Sequence, residues 1–275
     1  MKNSNKTGLR SLLAIFICGL FLASCDGSNP DKEYGVFLGM ERDDVLKLKD
    51  YATVVVDADY LSKDDVVALH NNGNAVVVSY LNIGSIEDFR DPDGKFGDII
   101  LGDYEDWPEE HWVDVSTKKW QDHVISKAKE LTAKGIDGFF LDNADVYSQY
   151  KTAEIYDGLV HIIKKLDDLD KPLMINGGDI FVTKALADGF KKMIAGVNQE
   201  TVFTSIDFDT KTFSAQETET KDYYQKYLQS CKAAGLQVFI LEYGSDAELK
   251  KKSAAYCKKN GFHCTFSASL ELEKE

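Results

Sequence analysis

Gly135-Ile136-Asp137-Gly138-Phe139-Phe140-Leu141-Asp142-Asn143-Ala144-Asp145 is the stretch on which the fold turns. Its apolar run is too short for a helix and stops abruptly at Asp142, Asn143 and Asp145. A buried parallel strand reads this way when its C-terminal tip opens into a polar site. A carboxylate beside such a strand is costly to bury without a partner, so a cluster there asks for a functional explanation.

Outward from this segment, apolar runs at 34–38, 53–57, 75–80, 138–142, 172–176, 193–198, 237–243 and 263–266 predict eight strands. Amphipathic stretches at 64–72, 117–134, 152–169, 180–190, 216–234 and 246–260 predict the helices between them. Gly73, Gly135, Gly189, Gly235 and Gly261 each follow a helical pattern and precede a strand, the place of a helix C-terminal stop. Strand, helix, glycine, strand, repeated without a hairpin signal, predicts βα units and a parallel sheet. Eight such units in about 245 residues, with no interrupting linker, suit a single-domain α/β (β/α)8 TIM barrel over 34–275. No glycine-rich phosphate turn follows an early strand, which argues against a dinucleotide-binding sheet.

In a barrel of this kind the site lies at the C-terminal strand ends. The tips carry Glu41, Asp57 and Asp59, Asn82, Asp142 and Asn143, Asn176, Gln199 and Glu200, and Glu242 with Tyr243. Carboxylates on four or more tips exceed what a random soluble barrel would place there. After the third strand, 84–115 runs about 30 residues with little helical periodicity, a length that signals function or disorder. Trp107 and Trp112 argue for order, as platforms for a ligand or plugs of the barrel mouth. Asp91 and Asp93 before Gly94 are reminiscent of a calcium loop, but Lys95 stands where an oxygen ligand is needed.

The first residues read as an address. Lys2, Lys6 and Arg10 precede an apolar run of about a dozen residues, short of the ~20 that span a bilayer, and Leu22-Ala23-Ser24-Cys25 follows. Residues 1–24 are therefore expected to be a lipoprotein signal, Cys25 the lipidated residue of an exported bacterial lipoprotein, and 25–33 a polar tether. The formal charge is −14, and it falls to about −17 once those three bases leave; such acidity opposes nucleic acid and is compatible with a cationic polymer. Cys231, Cys257 and Cys264 remain in the domain, so at most one disulfide and one free thiol are expected, and their spacing with histidine matches no zinc site. No cofactor and no metal are expected, and a monomer is.

Paired carboxylates without histidine ligands or a Gly-x-Ser-x-Gly elbow suit glycoside hydrolysis, one acid protonating the leaving oxygen while the other meets the anomeric carbon. His111 is the one histidine of the insert and a candidate ligand contact. Val54-Val55-Val56-Asp57, the run from Val76 to Gly84 (Val-Val-Val-Ser-Tyr-Leu-Asn-Ile-Gly), Trp107-Pro108 through Trp112-Val113-Asp114-Val115, and Gly135 through Asn143 together resemble glycoside hydrolase family 114, the endo-α-1,4-polygalactosaminidases. The resemblance extends from 34 to 266 and is loosest in the last third. It implies a (β/α)8 barrel and a retaining endo-hydrolase of α-1,4-linked galactosamine and N-acetylgalactosamine polymers. It also implies Asp142 as nucleophile and Glu200 as acid/base, with the roles exchangeable. Glu200 would then need a raised pKa. Glu242 is the rival for the second position. Asp57, Asp59, Tyr80, Asn82, Trp107, Trp112, Asn143, Asn176, Glu242 and Tyr243 are the expected substrate contacts, with the aspartates suited to an amine or to holding the nucleophile. Family 18 chitinases are a weaker match, because Phe140 stands where their motif needs an aspartate and Asn143-Ala144 where it needs Trp-Glu. A glycosidase of other specificity, or a lipid-anchored barrel that binds aminosugar polymers without cutting them, remains the alternative.

Overall fold

A computed structural model describes residues 32–274; the expected signal 1–24, the lipidation residue Cys25 and the tether as far as residue 31 lie outside the described residues. Eight parallel strands form one sheet in sequence order: β1 (Lys32–Phe37), β2 (Tyr51–Val56), β3 (Val77–Asn82), β4 (Gly138–Asp142), β5 (Leu173–Asn176), β6 (Gly196–Glu200), β7 (Gln237–Tyr243) and β8 (His263–Ser267). The last strand returns to the first, where Glu33 and His263 pair at 3.1 Å, so the sheet curls into the expected barrel. β1 starts at Lys32 rather than 34, because the Lys32 amide donates to the Asp50 carbonyl (2.9 Å) and extends the ladder toward the base.

Helices α1 (Arg42–Val45), α2 (Lys63–Asn71), α3 (Lys118–Lys134), α4 (Val146–Gln149), α5 (Ala153–Asp167), α6 (Asp179–Ala187), α7 (Thr218–Ala234) and α8 (Ala247–Asn260) cover the sheet. Their starts are set by side chains that accept orphan backbone amides: Ser62 and Asp65 form a reciprocal box at α2, Thr117 caps α3, Thr152 caps α5 and Asp246 caps α8. All five glycines singled out in the sequence have positive φ, from 64° to 96°, as a left-handed helix stop requires.

Two apolar layers follow from strand alternation. Val36, Val55, Val78, Phe140, Met174 and Leu241 fill the barrel, while Phe139, Leu141, Ile175, Val197 and Ile240 face the helices. On β4 this parity sends Asp142 to the same side as Phe140. Burial of large side chains such as Phe139 and Phe140, each at about 1.5–3 kcal/mol, is the main source of stability.

The absence of hairpins expected from the sequence does not hold at the mouth. The insert after β3 folds as a three-stranded antiparallel sheet, Ser85–Glu87, Ile100–Asp103 and Glu110–Val113, and a hairpin of Thr204–Asp207 with Thr212–Ala215 follows β6. Two contacts moor the insert. Gly84 packs so closely on β4 that a Cβ would lie 1.8 Å from the Asn143 carbonyl oxygen. Arg90 reaches back to the β2 tip, bonding Asp57 at 2.6 Å and Asp59 at 3.1 Å. The Cys257 and Cys264 sulfurs are bonded, tying α8 to β8, and Cys231 is a buried free thiol.

Removing Arg90 leaves the nearly buried Asp57 carboxylate uncompensated. Arg90→Met is therefore expected to lower unfolding free energy by about 3–5 kcal/mol, read from urea titration by circular dichroism.

Candidate active site

Four consecutive strands end in side chains that meet at one point. Asp142 closes β4, Asn176 β5, Glu200 β6 and Tyr243 β7, and each has the inward parity of its strand. The Asn176 Nδ2 amide donates to Asp142 Oδ1 at 2.9 Å and to Glu200 Oε1 at 2.8 Å. Tyr243 Oη donates to Glu200 Oε2 at 2.6 Å, and the Asn143 backbone amide donates to Asp142 Oδ1 at 3.0 Å. Among the described residues no hydrogen bond reaches Asp142 Oδ2. The pair forms the floor of a cleft of about 1020 Å³ at the C-terminal end of the barrel.

The cleft is strongly acidic. Eight carboxylates line it against two guanidiniums, and both of these are paired, Arg42 with Asp65 and Arg90 with Asp57, Asp59 and Glu87. Asp142 is held well above the ordinary carboxylate range, first by withdrawal from water and then by the charge of Glu200; the Asn176 hydrogen bond offsets part of this. Burial pushes Asp145 up to about 6 despite the Gly178 amide donating to it at 3.0 Å. Burial raises Glu110 as well, while Ser85, Asn82 and Asn143 donate to its Oε1 and pull the other way.

The other sequence-predicted residues divide into three groups. Tyr80, Trp107, Asn143, Asp57 and Tyr243 line the cleft with the pair, although Asp57 is engaged by Arg90. Asn82 and Asp59 sit beside it: Asn82 pins the turn into the insert through Gly84 and Ser85, and Asp59 pairs with Arg90 and Lys127. Trp112 and Glu242 lie elsewhere. Trp112 is buried and stacks on Tyr104 (4.4 Å between centroids), so it backs a cleft residue without reaching the cleft. Glu242 has the opposite parity to Tyr243 and is fully buried on the helix side, where it accepts from the Phe203 and Thr204 amides (2.8 and 2.9 Å) and from the Thr204 hydroxyl. It anchors the hairpin after β6, and burial raises it to about 7. His111 bridges Asp88 and Asp103 at 3.0 Å each within the insert sheet.

Sequence reasoning missed Glu110, Asp145, Tyr104 and Phe208. Asp145 stood in the opening motif, three residues past Asp142. Glu110 alternates with Trp112 in a short half-buried strand, a period-two signal too brief to notice. Phe208, at the hairpin turn, meets Trp107 edge-on at 6.1 Å and so joins two insertions above the cleft. Asp91 turns its carboxylate to the Lys95 and Phe96 amides, and among the described residues no group of three or more His, Cys, Asp or Glu side chains could hold a metal ion.

The model of glycoside-hydrolase family GH114 matches residues 28–271. Similar solved structures include the glycoside hydrolase domain of PelA from Pseudomonas aeruginosa, 18% identical over 88% of this chain and 96% of that one, with a TM-score of 0.71. Aspergillus fumigatus Ega3, solved in complex with galactosamine, is 16% identical over 91% and 96%, with a TM-score of 0.69. The α-galactosidase TtGalA from Thermus thermophilus is 10% identical over 90% and 60%, with a TM-score of 0.53. No curated protein sequence matches the chain.

The charge of Glu200 is the second cause of the raised Asp142 pKa. Glu200→Gln is therefore expected to move the Asp142 titration, followed by carboxyl 13C NMR, toward lower pH.

Proposed function

The chain belongs to glycoside-hydrolase family GH114 and is a glycoside hydrolase; from that premise we propose that it is a retaining endo-hydrolase of α-1,4-linked galactosamine polymers, N-acetylated in part. The observation that carries this is the single Asn176 amide shared by two carboxylates. Asp142 Oδ1 and Glu200 Oε1, held at 2.9 and 2.8 Å from one nitrogen, are at most about 5.7 Å apart, which supports a retaining pair (about 5–5.5 Å between carboxyl groups) over an inverting one (about 6.5–9.5 Å).

In this reading Asp142 attacks the anomeric carbon as the glycosidic bond breaks, and Glu200 gives its proton to the departing oxygen. Water then attacks the same carbon, returns a proton to Glu200 and frees Asp142. Asp142 must be ionised to attack, yet its burial and the charge of Glu200 favour its protonated form. A galactosamine unit supplies the remedy, because its ammonium is on the carbon next to the anomeric centre. Seated in the cleft, that cation stabilises ionised Asp142 beside Glu200, the acid of this reading. A cleft of eight carboxylates whose two guanidiniums are already paired favours such a cationic chain over a neutral one. The galactosamine bound to Ega3 supports the same substrate class. Trp107, Tyr80 and Tyr104 offer flat faces along the cleft for sugar rings.

The N-terminal signal completes the reading: Cys25 carries the lipid and holds the enzyme at a membrane surface. Cys25→Ser is expected to release the protein from membranes into the soluble fraction, seen by immunoblot of fractionated cells; a variant that stays membrane-bound would end the anchor proposal.

Asp142→Asn and Glu200→Gln are each expected to lose at least ~10³-fold in release of reducing ends from partially deacetylated α-1,4-galactosamine polymer. The wild type is expected to give α-configured new ends by 1H NMR. β-Configured ends would overturn the retaining mechanism, and polymer binding without new ends would replace hydrolysis by capture.

A further inference from the structure

Behind the catalytic amide lies a second line of hydrogen bonds that reaches across the barrel interior. Asn198 stands beside Asn176 in the β5–β6 register, and its Nδ2 donates to Asn176 Oδ1 at 2.7 Å. Tyr34, on β1, donates its hydroxyl to Asn198 Oδ1 at 3.0 Å. Asn198 is fully buried, and Tyr34 is 4% exposed.

The direction of this line follows from its carboxylate end, where Asn176 donates to both acids. An amide has one accepting and one donating end, and a flip exchanges them. With the Tyr34 proton on Asn198 Oδ1, the Asn198 NH2 must point at Asn176. With that NH2 on Asn176 Oδ1, the Asn176 NH2 must point at the carboxylates, one hydrogen to each. If Asn176 were flipped, its carbonyl would face Asp142 and Glu200, setting acceptor against acceptor.

We propose that Asn198 and Tyr34 are positioning residues of the hydrolase: they act through Asn176, locking its amide in the orientation that serves both reacting carboxylates. The proposal rests on the reading of Asp142 and Glu200 as the reacting pair and adds what holds the pair in register. Neither residue lines the cleft. Both are barrel-interior groups at the level where apolar side chains such as Val36 and Met174 fill the space, and a purely packing role would call for apolar residues here as well. The hydroxyl and two amides instead form a satisfied polar chain that ends on the carboxylates. Such a network rigidifies what it touches.

The test compares Asn198→Leu, which keeps the branched outline and removes both donor and acceptor, with Tyr34→Phe, which removes one oxygen. Asp142→Asn is the control for the pair. Asp142 faces Glu200, Glu110 and Asp145 and the hydroxyls of Tyr80, Tyr104 and Tyr243. All of these stay in place in both variants, so a changed Asp142 titration reports the amide. Asn198→Leu is expected to lower kcat on the galactosamine polymer by about 10–100-fold with KM within about twofold, and Tyr34→Phe by about 3–10-fold. In both, the Asp142 carboxyl 13C titration is expected to move to higher pH, because the Asn176 hydrogen bond that favours its ionised form is loosened. If Asn198→Leu does not fold, Tyr34→Phe decides alone. An unshifted titration with wild-type kcat in Tyr34→Phe overturns the proposal while Asp142→Asn remains inactive. Activity surviving in Asp142→Asn would instead remove the pair itself.

Discussion

The site is organised around one nitrogen. Asn176 Nδ2 has two hydrogens, and both go to carboxylates that would otherwise repel each other across the barrel mouth. This sets the separation of Asp142 and Glu200, and it tempers the cost of placing two acids in one poorly hydrated cleft. The strand tips make it possible. Parallel pairing puts Asn176 between its neighbours β4 and β6, level with Asp142 on one side and two residues short of Glu200 on the other, and its amide reaches both. Tyr243, from the next strand, completes the coordination of Glu200.

The cleft around this nitrogen is kept negative by construction. Its arginines are consumed in holding structure: Arg90 clamps the insert to the β2 tip, and Arg42 joins α1 to α2 through Asp65. Asp142, Asp145 and Glu110 are all raised, with burial as the leading cause in each. A protein that accumulates unpaired acid at one spot gives up stability there, and a ligand of opposite charge restores it. Under the proposed function, the same feature would favour a cationic substrate.

Much of this was legible beforehand. β4 and β7 begin and end where their apolar runs and glycine stops place them, because a buried parallel strand leaves a continuous apolar signal. β6 starts three residues later than expected, since a 3-10 turn at Phe190–Lys192 delays it. The antiparallel additions were not legible: Ile100–Asp103 and Thr212–Ala215 are short and largely exposed, so nothing forces an apolar alternation on them. Within the site, the choice between Glu200 and Glu242 was hidden for a related reason. Both faces of a barrel strand are buried, so Phe239-Ile240-Leu241 does not tell which parity looks inward. Only the packed barrel decides, and it gives Tyr243 the interior and Glu242 the helix side.

β1 enters the barrel at Lys32, at the end opposite the cleft. An anchor at Cys25 would leave seven residues to span, a leash of at most about 25 Å. With such an anchor, a leash attached at the base would leave the mouth free to face outward, away from the membrane surface. The enzyme would work as a fixed sentry, trimming the polymer strands that drift within its short radius and leaving the distant matrix alone.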